Sequence, residues 1–367
     1  MNMDMRVNQD QPLQIMRYII VMAVIVFPFA ACMLLSCTST LLAAYSDPLD
    51  IAAIKMEAAQ NSLLLDVEYA GKRLVTVGER GHILYSDDQG KSWQQADVDA
   101  MAHLNAVFFI NEQLGWAVGE DQVIMRSNDG GTSWKRIYDN RTADLVAPLL
   151  DVLFLDEQNG FAVGAYGTLL TTADGGQSWQ DDRDLIDNID EWHYNAIIRT
   201  QGGSLYIAGE KGFVYRSDDN GQSWDVLRIP RELTPEEIED LVEPFVEVSF
   251  LGVVAMKKEE RLVFFGVGGR IFVTDDGGQN WRQVEIDTSA GLAGGSLLAD
   301  GSILIVGSDG AVVRGDAEAQ NFAVLIRDDR LPLTAVMPIG DDQFVTVGIA
   351  GILLSDLDEL NGQPRKN

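Results

Sequence analysis

Five near-copies of one octapeptide recur along the chain and constrain its fold more than any other feature. Each copy carries an Asp in a short polar turn, then a Gly and then a Trp, as in SDDNGQSW. The Ser or Thr and the Asp can hold such a turn through backbone amides, and the Gly can take a positive φ. The Trp can pack on neighbouring strands while its N–H reaches a carbonyl. We therefore predict a structural role for five Asp–Trp pairs: Asp88 and Trp93, Asp129 and Trp134, Asp174 and Trp179, Asp219 and Trp224, Asp276 and Trp281.

A ladder of glycines sets the number of repeats. Each glycine closes an apolar run, and alternating apolar residues bounded by glycines are typical of short antiparallel strands. The ladder has seven steps: Gly78, Gly119, Gly164, Gly209, Gly266, Gly307 and Gly348. A period of about 40–50 residues with three or four strands per unit is the signature of a β-propeller. The sequence predicts an all-β fold, a seven-bladed β-propeller of four-stranded antiparallel blades.

The last two units depart from the pattern. The sixth has Phe322 in the place of the Trp, and the seventh ends at SDLDEL without an outer strand. We expect Leu49–Ala58 to supply that strand by pairing with Gly351–Ser355, which would remove two open sheet edges. The same segment is rich in Ala, so a helix is the alternative. The propeller is expected over residues 45–360, between a leader at 1–44 and a polar tail at 361–367.

The leader has the features of an export signal. Arg6 and Arg17 precede an uncharged apolar run, Tyr18–Leu35. The sequence around Cys37, LLSC, resembles a bacterial lipobox, whereas the small residues ending at Ala44 would suit a general signal peptidase. An uncleaved anchor is a third alternative. All three predict an exported, periplasmic protein, with a lipid tether to a membrane if Cys37 is modified.

Charge and residue usage exclude several classes of function. The formal net charge of −29 argues against a nucleic-acid partner, because binding to phosphates draws on Lys and Arg. The three histidines are not spaced for zinc, and one Asp per turn offers too few oxygens for calcium. No phosphate-binding loop or nucleophilic triad is visible. We expect no cofactor, no metal and no catalytic activity.

Two stretches carry a family resemblance. GWAVGEDQVIMRSNDGGTSW and GFAVGAYGTLLTTADGGQSW resemble the photosystem II stability and assembly factor family, within the wider group of Asp-box, or bacterial neuraminidase repeat, propellers. The resemblance extends from about Leu49 to Leu357. It implies an exported, non-enzymatic propeller that assists a membrane complex; the family's members in photosynthetic organisms bind precursors of reaction-centre subunits. The acidity of this chain departs from the basic docking patch of that family, so the photosystem partner is not carried over.

The turns between second and third strands should share one face with the connections between blades. The candidate binding residues in those turns are Glu79, Arg80, Glu120, Asp121, Tyr166, Glu210, Lys211 and Asp309. The longest insertion, Arg228–Val246, reaches the same face, and insertions on one face of a repeat protein often mark its binding surface. Within it, Thr234 and Pro235 are expected to begin a short helix.

A second candidate site lies at the mouth of the central channel. Alignment of the first strands places acidic or amide side chains there: Asp66, Asn105, Asp151, Asn195 and Glu247. Such a ring could bind a cation or a polar peptide, and it could equally serve the structure of a water-filled channel.

These observations favour a monomeric interaction scaffold or assembly factor for a membrane protein or complex. A glycoside hydrolase is the alternative, since Asp66, Asp151 and Glu247 could supply the two carboxylates about 5–10 Å apart that such enzymes need. A carbohydrate- or peptide-binding module is a third reading.

Overall fold

The computed structural model describes residues 46–142, 147–240 and 242–361. Contacts divide the chain into two units, Met1–Asp47 and Pro48–Asn367, and every described strand lies in the second. The predictions for the leader, including Cys37, and for nearly all of the polar tail lie outside the described residues. None of the described helices is long and apolar enough to cross a membrane.

Seven sheets follow one another along the chain and confirm the seven-bladed propeller. Blade 1 contains β1 (Leu64–Ala70), β2 (Arg73–Gly78), β3 (Ile83–Ser86) and β4 (Gln94–Gln95). Blade 2 contains β6 (Leu104–Phe109), β7 (Gly115–Gly119), β8 (Ile124–Ser127) and β9 (Ser133–Tyr138), with β5 (Asp97–Val98) parallel to β9. Blade 3 contains β10 (Leu149–Phe154), β11 (Gly160–Gly164), β12 (Leu169–Thr172) and β13 (Gln180–Asp181).

Blade 4 contains β14 (Tyr194–Arg199), β15 (Leu205–Gly209), β16 (Phe213–Ser217) and β17 (Asp225–Arg228). Blade 5 contains β18 (Phe250–Ala255), β19 (Leu262–Gly266), β20 (Ile271–Thr274) and β21 (Arg282–Val284). Blade 6 contains β22 (Leu292–Leu297), β23 (Ile303–Gly307), β24 (Ala311–Gly315) and β25 (Phe322–Ile326). Blade 7 contains three strands, β26 (Leu333–Ile339), β27 (Gln343–Gly348) and β28 (Gly351–Asp356). The α-helix α1 (Pro235–Glu239) lies between blades 4 and 5.

Each glycine of the ladder ends the second strand of its blade, as predicted. The reason is the close approach of the first strand. A Cβ on Gly119 would lie 1.8 Å from the His103 carbonyl oxygen, and one on Gly348 would lie 2.3 Å from that of Pro332. Because no larger side chain fits at such distances, the spacing of these glycines reports the spacing of the blades.

The five Asp turns share one hydrogen-bond pattern. In blade 1, the two oxygens of the Asp88 carboxylate accept from the Ser92 amide at 2.8 Å and the Ser92 hydroxyl at 2.6 Å, and Ser86 donates to the same carboxylate. The hydrogen bond from the Ser92 side chain, with those from its backbone and from Ser86, lowers the pKa of Asp88 to about 2. The turn is therefore held by an ionised carboxylate throughout the physiological pH range.

Neighbouring sheets pack face to face through seven hydrophobic clusters, one at each junction between blades. Where a blade has a Trp or Phe322 before or in its fourth strand, that ring belongs to the cluster shared with the preceding blade. Trp134, for example, is 1% exposed, packs edge-on against Phe109, and donates from Nε1 to the Gly131 carbonyl at 3.1 Å. Such buried rings make the outer strand part of the core.

The predicted closing strand is wrong. Within the described residues, Leu49–Ala58 forms no strand and blade 7 has three strands. The segment instead lies along the outside of blades 1 and 2, where the Ala53 amide donates to the Val98 carbonyl at 2.9 Å and the Leu49 side chain is buried. The segment therefore packs against blades 1 and 2, and β28 has no fourth-strand partner among the described residues.

Side chains close the ring between blades 7 and 1. Their shared cluster contains Leu64, Leu74, Val345 and Val347. The Thr334 hydroxyl donates to the Leu64 carbonyl at 2.8 Å, and the Tyr69 hydroxyl donates to the Pro338 carbonyl at 2.8 Å. The ends of the propeller are thus joined by the same face-to-face packing that joins the other blades.

We predict that Trp134→Ala lowers the free energy of unfolding by about 3–5 kcal/mol, because it empties a buried site and removes the bond to Gly131. Urea denaturation followed by near-ultraviolet circular dichroism would measure the loss. Trp179→Ala is the matched control and should cost less, since Trp179 is only partly buried and its Nε1 has no partner among the described residues. Equal losses would contradict the argument that full burial of Trp134 and its bond to Gly131 set the size of its contribution.

Candidate functional site

The two faces of the propeller differ in construction. One, the connection face, carries the turns between second and third strands together with the links between blades. These elements are bonded to each other: the Asn140 amide donates to the Asp121 carbonyl at 2.9 Å, and the Arg327 amide donates to the Gly310 carbonyl at 3.1 Å. The other, the Asp-turn face, carries the five octapeptides. The antiparallel order of four strands separates the two features.

All eight residues predicted for the connection face lie in turns there. The middle residue of each turn has a left-handed backbone: Arg80, Asp121, Tyr166, Lys211, Gly268 and Asp309, with φ between 54° and 74°. A positive φ costs energy for a residue with a Cβ. Because the same conformation recurs in six blades, we attribute it to the fold. The left-handed conformation turns the side chains of the five non-glycine residues outward.

One part of this face is more elaborate and is named here the blade 3–5 patch: Tyr166, Trp192, His193, Glu210, Lys211 and Glu247. Tyr166 contacts His193 edge-on with ring centroids 5.0 Å apart, and the His193 amide donates to Glu210 at 3.2 Å. Lys211 forms an ion pair with Glu247 at 3.1 Å and lies 5.8 Å from the centre of the Trp192 ring. Contacts therefore run without a break across three blades.

Sequence reasoning missed Trp192 and its neighbour Ile189. Both lie in the connection between blades 3 and 4, after a fourth strand of only two residues. The short strand leaves a groove of about 570 Å³ lined by Tyr166, Ile189 and Trp224, among others. The Ile189 side chain is 91% exposed. The unusual length of this connection, with an isolated Ile between acids, was the available signal.

Exposed apolar side chains are unevenly distributed over the described residues. Eight large ones lie on the connection face: Tyr166, Leu185, Ile189, Ile238, Val242, Val267, Leu331 and Ile349. The others lie on outer strands or in the segment that precedes blade 1, and none lies in an Asp turn. Apolar surface concentrated on one side of a protein is typical of an interaction surface.

The insertion between blades 4 and 5 adds to this face. Its helix α1 begins as predicted: the Glu237 amide donates to the Thr234 hydroxyl, and the Glu237 carboxylate accepts from the Thr234 amide. Arg231 then pairs with Glu237 at 2.9 Å. The cap and the ion pair hold the insertion in shape and leave Ile238 on its outer side, 59% exposed.

The channel residues link neighbouring blades. Asp66 accepts at 2.9 Å from the Val107 amide of the next blade, and Asp151 accepts at 2.8 Å from the Ile197 amide. The side-chain amides of the two Asn residues donate to carbonyls of the next blade: Asn105 Nδ2 to Leu149 at 2.8 Å and Asn195 Nδ2 to Phe250 at 2.7 Å. The alternation of carboxylates and amides seen in the sequence is thus a set of hydrogen bonds that join the blades.

Glu247 does not belong to this ring, and its placement at the channel mouth was wrong. The strand register pairs Gly252 with Phe265, as it pairs Asp66 with Val77, so Gly252 occupies the equivalent position. Glu247 lies five residues earlier, 67% exposed, in the blade 3–5 patch. The insertion before blade 5 shifted the alignment.

Three carboxyl groups share the channel cavity, whose volume is about 280 Å³. Removal from water raises the pKa of Asp66 to about 6, although two backbone amides oppose the shift. Desolvation likewise raises the pKa values of Asp151 and Glu68 to about 7, and the charge of Asp66 adds to both shifts. Glu68 was not among the predicted residues. Within the described part of the chain, no cluster of three His, Cys, Asp or Glu side chains could hold a metal ion.

We predict that Glu68→Gln flattens the dependence of stability on pH. The folded pKa of Glu68 lies above its ordinary value, so the folded state holds the proton longer and loses stability as pH rises from about 5 to 8. The variant keeps an acceptor for the Tyr69 amide and should be more stable than the wild type at pH 8, by at most about 3 kcal/mol.

Urea denaturation at a series of pH values would measure the effect. Exposed Glu259→Gln is the control and should leave the profile unchanged. A profile for Glu68→Gln that runs parallel to that of the wild type would show that this carboxyl group titrates normally.

The family model and the curated relative indicate the same family. The family model described as photosynthesis system II assembly factor YCF48 matches residues 47–143 and 139–249, together more than half of the chain. The photosystem II assembly lipoprotein Ycf48 of Synechococcus sp. (strain CC9902) is 31% identical over 215 residues, which are 58% of this chain and 46% of that protein. The chain thus matches about half the length of this relative.

Solved structures show the same fold. YCF48 bound to D1 peptide has a TM-score of 0.61 and 19% identity, covering 84% of this chain and 96% of that one. YCF48 from Cyanidioschyzon merolae has a TM-score of 0.61 and 17% identity, covering 82% and 97%. A streptogramin B lyase, at 12% identity and a TM-score of 0.62 over 85% of this chain and 100% of that one, shares the architecture as well. On the match to its family model, the chain belongs to the photosynthesis system II assembly factor YCF48 family.

Proposed function

We propose that this protein is a non-catalytic binding scaffold whose connection face holds a segment of a membrane protein during assembly of that protein or its complex. The observation that carries the proposal is the one-sided distribution of exposed apolar residues, centred on the blade 3–5 patch. Family membership supports it, since one relative is named an assembly lipoprotein and another propeller of the family was solved with a D1 peptide. The client of this chain need not be the same.

The chemistry of the patch indicates what it would bind. Tyr166 and Trp192 offer aromatic surface, and Ile189 and Val267 offer apolar contacts at the rim. Glu210 and Glu247 border them and would attract basic side chains. An extended polar and apolar peptide with at least one Lys or Arg fits this arrangement.

The glycosidase alternative receives no support from the geometry. In Asp66 and in Asp151, one carboxylate oxygen accepts from the amide of the following residue and the other accepts from an amide of the next blade, so both oxygens of each are engaged. Glu247 lies outside the channel and is paired with Lys211. The carboxylates of Asp66 and Asp151 are thus committed to backbone amides, and Glu247 lies apart from them, which favours a binding role.

Export of the chain and a lipid tether at Cys37 complete the proposal. The N-terminal sequence and the word lipoprotein in the relative's name support both. A scaffold held at the membrane would meet its client at high local concentration, which strengthens weak binding.

We predict that Tyr166→Asp combined with Ile189→Asp reduces capture of the client at least about tenfold, because the pair removes apolar contact and adds charge in the blade 3–5 patch and at its rim. The measurement is photocrosslinking and affinity capture of the full chain from detergent-solubilised envelopes, with quantitative mass spectrometry of membrane proteins.

Gln279→Asp, an exposed change on the Asp-turn face, is the matched control and should capture as the wild type does. The proposal fails if no membrane protein is enriched, or if both variants and the wild type enrich the same proteins equally.

A further inference from the structure

Blade 7 stops one strand short of the other blades. In blades 1 to 6 the third strand is paired on its outer side by a fourth; in blade 7 the third strand, β28, has no partner there among the described residues. Every blade has an outer edge, but only here does the edge lie at the third-strand position. An unpaired strand offers a row of N–H and C=O groups to another chain.

The missing strand also uncovers the flank of blade 6. Register places Leu325 of β25 beside Val312 of β24, on the side that faces blade 7. A groove of about 750 Å³ opens there, lined by Val312, Arg314, Leu325 and Leu360, among others. Leu325 is 37% exposed, and Leu353, which register places on the facing side of blade 7, is 39% exposed. Both are apolar residues left without the cover that a fourth strand would give.

The other junctions show what normally fills such a space. At six of them an aromatic ring before or in the fourth strand lies in the cluster shared with the preceding blade: Trp93, Trp134, Trp179, Trp224, Trp281 and Phe322. Among the described residues, the junction between blades 6 and 7 has no such ring, and Leu357 and Leu360 belong to or pack against its cluster. By comparison with the other junctions, the groove between blades 6 and 7 lies where a fourth strand with an aromatic side chain would pack.

Charge indicates the kind of strand. Asp342, Asp356 and Asp358 lie at the end of β28 on the Asp-turn face, and none of them forms an ion pair within the described part of the chain. Residues 362–367, GQPRKN, contain a Pro and no aromatic residue, so they do not have this pattern. A basic segment from another protein complements the acids and supplies the ring.

We propose that the fourth-strand position of blade 7 binds an extended, basic segment of a partner protein, which adds to β28 as an antiparallel strand and places an aromatic side chain in the groove beside Leu325. This rests on the proposed scaffold function and adds a second contact, distant from the blade 3–5 patch. Backbone pairing would supply affinity, and the groove would select the aromatic residue.

The chain provides its own probe. β9 is a basic fourth strand whose Trp134 fills the equivalent space between blades 1 and 2, so a synthetic, amidated TSWKRIY peptide copies residues 132–138. Fluorescence anisotropy with the full-length chain should show saturable binding. A peptide with Ile137→Pro, which loses an N–H, and one with Trp134→Ala should each bind about tenfold more weakly.

Variants of the protein locate the site. Leu353→Asp with Leu325→Asp should weaken binding about tenfold, whereas Val226→Asp, an exposed change on the outer strand of a complete blade, should not. Circular dichroism would show that each variant is folded. A photocrosslinker at position 353 should link to the peptide.

Four results would overturn the proposal. These are no saturable binding, equal binding to all variants, self-association of the chain that Leu353→Asp abolishes, and binding that requires deletion of residues 362–367. The third would assign the edge to a second copy and the fourth to the chain's own end. Loss of client capture on changing Tyr166 and Ile189, with no peptide binding at β28, would leave the scaffold function standing and remove only this site.

Discussion

Face-to-face packing of neighbouring sheets is the interaction on which the rest of this structure depends. A four-stranded sheet exposes two apolar faces, and only a ring of such sheets buries all of them. The seven clusters between blades carry out that burial, and hydrogen bonds from Asp66, Asn105, Asp151 and Asn195 join the inner strands. The blades differ from one another in the parts that this packing does not constrain, which are the turns, the connections and the outer strands.

The repeats could be recognised in the sequence because close packing permits only one residue type at certain positions. A carbonyl 1.8 Å from where a Cβ would stand permits only glycine at Gly119, and an Asp whose two oxygens accept three hydrogen bonds permits little else at Asp88. Such constraints repeat with the blade. The ends of the second strands, the number of blades and the helix cap at Thr234 therefore followed from residue identity and spacing alone.

The errors arose where the repeat is interrupted. Glu247 was aligned with Asp66 because the insertion before blade 5 shifts the spacing of the repeat. The residue at the equivalent position is Gly252, which has no side chain that could be recognised as part of the ring. Leu49–Ala58 was assigned to blade 7 because the seventh unit lacks an outer strand, but a gap in the repeat does not specify which segment fills it. Trp192 in the blade 3–5 patch and Ile189 at its rim are positioned by the path of the connection between blades 3 and 4. No local pattern specifies such a path.

The same side chain, Asp, has opposite properties in the two places where it recurs. In the Asp turns, hydroxyl and amide donors lower the pKa of Asp88, Asp174 and Asp219 to about 2, at the protein surface. In the channel, desolvation raises the pKa of Asp66 to about 6 and of Asp151 to about 7, although each carboxylate also accepts two amide hydrogen bonds. The opposite pKa shifts of the two sets of Asp residues are therefore explained by access to water and not by the number of hydrogen-bond donors. A perturbed carboxyl pKa in a channel is often taken as a mark of catalysis, but here one oxygen of Asp66 and one of Asp151 already accept a hydrogen bond from the next blade. The groups left free to meet a partner are on the connection face and at the open edge of blade 7, where the repeat itself is incomplete.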